Sequence, residues 1–152
     1  MGELGPSTGD DGPSGEAEGA VEELSREECV ELLGRRDVGR LTIVVDGQPE
    51  VFPVNYALDG DVVVFRTDPG LKLLRGSPAR VAFEVDEIDD DAGVAWSVVV
   101  KGTAREITEA LDVASERERA LEIEPFSGAE LRHRVRVVPR EITGRRLRRP
   151  KR

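Results

Sequence analysis

Arg66, Thr67 and Lys72 stand where a β-rich run ends, in VVVFRTDPGLK, and a Pro69-Gly70 turn brings the lysine back toward the strand end. These three residue types suit a phosphate. A guanidinium offers a planar fork, a hydroxyl donates one hydrogen bond, and an ammonium adds a point charge. The same spacing also describes ordinary solvated charges at a strand end, and nothing local to the motif chooses between the two. Upstream, a strand that ends in Asn55 and Tyr56 turns at Asp59-Gly60 into the strand that delivers Arg66 and Thr67.

Other reactive constellations are scarce. His133 is the sole histidine and lies in an arginine-rich run with no evident sequence partner, so a Ser-His-Asp or Cys-His arrangement has little to build on. Zinc-ligand spacing, a GxGxxG fingerprint and a Walker motif are absent. Any enzymatic chemistry is therefore expected to come from a cofactor, with the protein supplying binding and orientation. Cys29, the one cysteine, reads as a small buried hydrophobe and excludes an internal disulfide.

The elements that position these residues are mostly strands. Ser25 followed by Glu28 forms a capping box for a short helix with Cys29, Leu32 and Leu33 on its apolar stripe and Gly34 at its end. Asp46-Gly47 and Asp59-Gly60 each separate β-rich runs, which predicts hairpins joining 39–45, 48–56 and 61–67. A short helix at 71–75, strands at 80–87 and 95–107, a helix over 109–123 and a strand over 132–142 follow. Hairpins without regular βαβ alternation predict a mainly β antiparallel barrel of six or seven strands, with helices at its mouth and edge.

Charge is unevenly placed along these 152 residues, whose net charge is −9. Residues 1–23 carry seven acids and no base among Gly, Pro and Ser, which predicts a disordered acidic tail. Arg148, Arg149, Lys151 and Arg152 make 148–152 a basic tail, leaving 24–147 as the domain. The body between the tails is acidic, so a broad nucleic-acid surface is not expected. No apolar run reaches membrane-span length and no signal segment opens the chain, so the expectation is a cytoplasmic protein without membrane association.

Four pieces in order, VGRLTIVVDGQPEVFPVNYALDGDVVVFRTDPGLK, VAFEVDEID, AWSVVVKGTA and VPREITGRRL, resemble the pyridoxamine 5′-phosphate oxidase-like family of flavin-binding proteins. The resemblance implies a six-stranded antiparallel Greek-key split β-barrel and a homodimer with FMN at its interface. By the same resemblance Arg66, Thr67 and Lys72 hold the FMN phosphate, and the backbone at Val54 and Asn55 lies along the isoalloxazine ring. Trp96 either covers a planar cofactor or a subunit seam or plugs the end of the barrel core, and Ser97 adds a hydroxyl. Glu84 and Asp86 are read as a polar strand face.

The chain ends in Gly144-Arg145-Arg146-Leu147 and lacks the basic pattern that grips substrate phosphate in the vitamin B6 enzymes, so that reaction is not expected. The function implied is a flavin-dependent oxidoreductase acting on an unassigned small molecule. An F420-dependent reductase and a non-catalytic flavin or haem binder remain as alternatives.

Overall fold

The computed structural model describes residues 19–67, 78–107, 113–124 and 133–151. Strands β1 (Ala20–Glu23), β2 (Val38–Val45), β3 (Gln48–Asp59), β4 (Val62–Thr67), β5 (Ala79–Asp89), β6 (Val94–Glu106) and β7 (His133–Arg148) are joined with helices α1 (Arg26–Leu33) and α2 (Val113–Ala120). All pairings are antiparallel, in the order β1-β7-β4-β3-β2-β5-β6, and β7 also pairs with β6. That last pairing closes β2, β3, β4, β7, β6 and β5 into a six-stranded barrel, the expected architecture. Closure removes the open edges that a sheet of this length would otherwise present.

The turns form where the sequence places them. Asp46 at φ 49° and Gly47 at φ 79° complete one hairpin, and Gly60 at φ 61° the next. Alternation along each strand then divides the barrel. Val63, Phe65, Phe83, Val98, Val100, Val135 and Val137 fill the interior, where Tyr56 meets Phe83 edge to face at 4.9 Å. On the outside Val64, Ile107 and Ile123 form a second cluster with Ala57, Val62 and Leu121.

The capping box is present: Ser25 Oγ accepts from the Glu28 amide at 3.2 Å, and Glu28 Oε2 accepts from the Ser25 amide at 3.3 Å. Cys29, Leu32 and Leu33 are buried as expected, and Tyr56 donates its hydroxyl to the Leu33 carbonyl at 2.5 Å, tying α1 to the barrel. Burial in particular holds the Tyr56 hydroxyl well above the usual phenol range.

Three boundaries differ from expectation. The acidic segment assigned to 1–23 gives its last four residues to β1, because the Ala20–Glu23 backbone pairs with Arg145–Arg148 of β7 and Glu22 meets Arg146 at 3.4 Å. Arg148, assigned to a tail, ends β7, and the Arg149 amide donates to the Gly93 carbonyl at 2.8 Å. The second helix stops at Ala120, since Leu121 and Ile123 turn onto the outer cluster. The helix expected at 71–75 lies outside the described residues.

Barrel closure needs one irregularity. Lys101 opposes Glu141 and Gly102 opposes Pro139, so Arg140 has no opposite residue and β7 is bulged there. A Cβ on Gly102 would lie 2.1 Å from the Val138 carbonyl oxygen, a backbone atom that cannot swing aside. Gly102→Ala is expected to cost at least ~1–3 kcal/mol, read as a lower urea midpoint at unchanged slope.

Candidate functional site

β3 and β4 run together only from Asp59↔Val62 to Tyr56↔Phe65. Beyond that pair they part: Asn55 and Val54 continue against Val38 and Gly39 of β2, while Arg66 and Thr67 continue against Arg134 and His133 of β7. The barrel is split at this point. A cleft of about 220 Å³ adjoins it, lined by Asp37, Asn55, Tyr56, Glu122, Ile123 and Glu124.

Strand alternation sets which side chains meet. Val54 packs inward against the main core, so its contribution to a ligand would be backbone only. Asn55 points outward and donates Nδ2 to the Asp37 carbonyl at 3.4 Å. Arg66 shares the outer side with Val64 and donates Nη1 to the Ile123 carbonyl at 2.9 Å. Thr67 falls on the opposite face of β4 from Arg66, so the two reach one ligand only at the strand end. Lys72 lies outside the described residues.

The start of β7 supplies residues that the sequence alone did not single out. Arg134 stands directly opposite Arg66 and donates Nη1 to the Glu118 carbonyl at 3.0 Å. Burial, and then the neighbouring Arg66 charge, lower the affinity of Arg134 for its proton. His133, opposite Thr67, has the partner that its sequence context did not reveal: its Nδ1 lies 2.6 Å from Glu106 Oε1. In the sequence Arg134, Val135 and Arg136 alternate polar and apolar, which marks one polar face, but only the barrel register shows which strand end that face meets.

Trp96 and Ser97 lie elsewhere. Trp96 is 8% exposed and packs in the main core cluster. Ser97 is on the outside of β6, with two strands between it and the β3 strand that carries Asn55, and donates Oγ to Glu84 Oε1 at 3.2 Å. Arg40 Nη1 reaches Glu84 Oε2 at 3.3 Å and Asp86 Oδ2 at 3.2 Å. Glu84 and Asp86 lie on the polar strand face read from sequence, and Arg40 and Ser97 extend it over β2 and β6.

The donor set fits a flavin nucleotide at its phosphate end, with a guanidinium and a hydroxyl at one strand terminus and a second guanidinium opposite. The acids of the cleft, Asp37, Glu122 and Glu124, leave its other end unsuited to a further anion. Among the described residues no group of three His, Cys, Asp or Glu could hold a metal ion, and no helix is long and apolar enough to cross a membrane.

Comparison with known proteins is consistent with this geometry. Residues 25–146 match the family described as pyridoxamine 5′-phosphate oxidase. Among solved structures the chain is similar to the FAD-binding protein of Mycobacterium smegmatis, at 37% identity and TM-score 0.68, over 83% of this chain and 97% of that one. A FAD-binding protein of Mesorhizobium loti matches at 29% identity and TM-score 0.68, over 85% and 98%. An uncharacterised protein of Mycobacterium tuberculosis is 32% identical over 84% of this chain and 86% of its own.

The Glu84 carboxyl carries a testable pH signature. Burial first, then a hydrogen bond and charge repulsion from Asp86, raise its pKa, against the opposing pull of Ser97 and Arg40. The folded state thus keeps this proton to higher pH than the unfolded chain. Stability from the protonated carboxyl is present below the ordinary glutamate value of about 4.3 and is lost as pH rises through the raised one. Urea unfolding across that window is expected to show the parent losing stability relative to Glu84→Gln as pH rises.

Proposed function

The chain belongs to the pyridoxamine 5′-phosphate oxidase family, and we propose that it binds a flavin nucleotide along the opening between β3 and β4, with the phosphate at Arg66, Thr67 and Lys72. The observation that carries this reading is the parting of the two strands after Tyr56↔Phe65. Beyond that pair the β3 backbone at Val54 and Asn55 is extended and not paired with β4, and the alternating donors and acceptors of such a strand suit the edge of an isoalloxazine ring. The parting also brings the end of β4, with its cationic and hydroxyl groups, to one end of that edge.

The nucleotide proposed is FMN, held by its single phosphate. FAD is the second reading, favoured by the 37% identical M. smegmatis protein, which binds FAD. Bound flavin would supply hydride and electron transfer, and the reaction proposed is oxidation or reduction of a small molecule. Protein side chains bind and orient. Asp37, Glu122 and Glu124 favour a neutral or cationic molecule at the cleft over an anionic one.

A homodimer is part of the proposal. Val21, Leu147, Ala95 and Ile88 face one another across β1, β7, β6 and β5, and Val21, Leu147 and Ile88 are 64%, 42% and 68% exposed. Such a row on one outer face supports contact between copies. Size-exclusion chromatography with light scattering should return twice the chain mass, and a monomer that retains flavin would exclude a shared site.

Purified protein should show the visible absorption of oxidised flavin, and chromatography of the released cofactor distinguishes FMN from FAD. A charge-assisted contact contributes about 1.5–3 kcal/mol. Arg66→Ala should therefore weaken FMN binding about ten- to a hundredfold while sparing riboflavin, which has no phosphate. A colourless protein that binds neither flavin in titration would overturn the reading.

A further inference from the structure

Two arginines occupy the outer face of β7 at neighbouring outward positions, and the structure treats them differently. Arg136 reaches the carboxylate of buried Glu118, with Nε 3.0 Å from Oε2, and donates to Ser115 Oγ at 2.6 Å. Arg134 meets only a carbonyl, that of Glu118, among the described residues. The Glu118 carboxylate that could have neutralised Arg134 is directed one step along the strand to Arg136.

Arg134 is also directly opposite Arg66. Residues facing each other across an antiparallel pair have Cβ atoms about 4.5–5.5 Å apart, and like charges so placed are unfavourable. Partial burial of both sharpens the repulsion. An anion between the two guanidinium groups would turn it into attraction. Arg134 is suited to receive one: its described contact uses one of five N–H groups, and that contact to the α2 backbone holds the fork in place.

We propose that Arg134 is the second guanidinium of the anion site at the end of β4, gripping the phosphate of the bound nucleotide together with Arg66. The site is thus built by two strands: β4 contributes Arg66 and Thr67, and the start of β7 contributes Arg134 across the ladder. This proposal rests on the flavin reading above. It adds a residue outside the RTDPGLK motif and a role for the segment Glu118–Ile123, whose carbonyls orient both guanidinium groups. The ligand chemistry is a phosphate ester, either the monophosphate of FMN or the diphosphate of FAD.

Titration of FMN, FAD and riboflavin into the parent, Arg66→Ala, Arg134→Ala, Arg134→Lys and the double alanine variant, with melting temperatures for each, tests it. Arg134→Ala should weaken the phosphate-bearing flavins about ten- to a hundredfold and riboflavin less than about twofold. The lysine variant should recover part of that loss, since it restores charge without the fork. A larger loss for FAD than for FMN would assign the diphosphate to the pair, and equal losses the single phosphate. Arg134→Ala that binds FMN and FAD as the parent does would overturn the proposal while Arg66→Ala still reports on the flavin reading. Equal weakening of all three flavins with a lowered melting temperature would also overturn it, leaving Arg134 as an anchor for the Glu118 backbone. A parent that binds no flavin would overturn both.

Discussion

β7 is the strand on which the structure depends. It pairs with β6 along nearly its whole length, with β4 near its start and with β1 at its end, so one strand closes the barrel and fastens both termini of the domain. A closed sheet has to stagger its strands, and a long strand can follow that curvature only where its ladder is interrupted. The unopposed Arg140 is that interruption. Pro139, which has no amide hydrogen to donate, and Gly102, which has no Cβ to collide with Val138, make it tolerable.

The same strand decides where the barrel opens. Because β4 leaves β3 to follow β7, the two strands part beside Val54 and Asn55. Polar groups at this opening are then held from the outside. α2 and the residues after it cover the outer cluster, and their carbonyls receive Arg66 and Arg134. Glu118, 1% exposed, meets Arg136 at 3.0 Å, a buried ion pair under the helix. Covering the outer face and aiming the cations are thus one packing arrangement.

Charge at the opening has a direction. Guanidinium groups gather where β4 meets β7, while Asp37, Glu122 and Glu124 line the cleft along β3. A ligand with an anionic end and a neutral body matches this gradient. On the other side of the barrel Arg40, Glu84, Asp86 and Ser97 meet one another across three strands.

Much of the architecture was legible because its signals are local. Ser25 with Glu28 marks a helix start whatever follows, Asp-Gly pairs enforce their turns, and alternation along β4 and β7 separates core valines from outward arginines. These features establish the hairpins, and the order of four motifs carries the family resemblance. What stayed hidden depends on partners distant in sequence. The strand β1 reads as acidic tail because four exposed residues have no apolar pattern of their own, and only the backbone of Arg145–Arg148 makes them a strand. His133 seemed isolated because Glu106 comes from another strand, 27 residues away. Arg66, Thr67 and Lys72 could be named as a candidate phosphate site from their types, and Asn55 from the family resemblance. Register alone determined that Arg66 faces Arg134 and Thr67 faces His133, since pairing across β4 and β7 is set by closure of the whole barrel and by no residue within either strand.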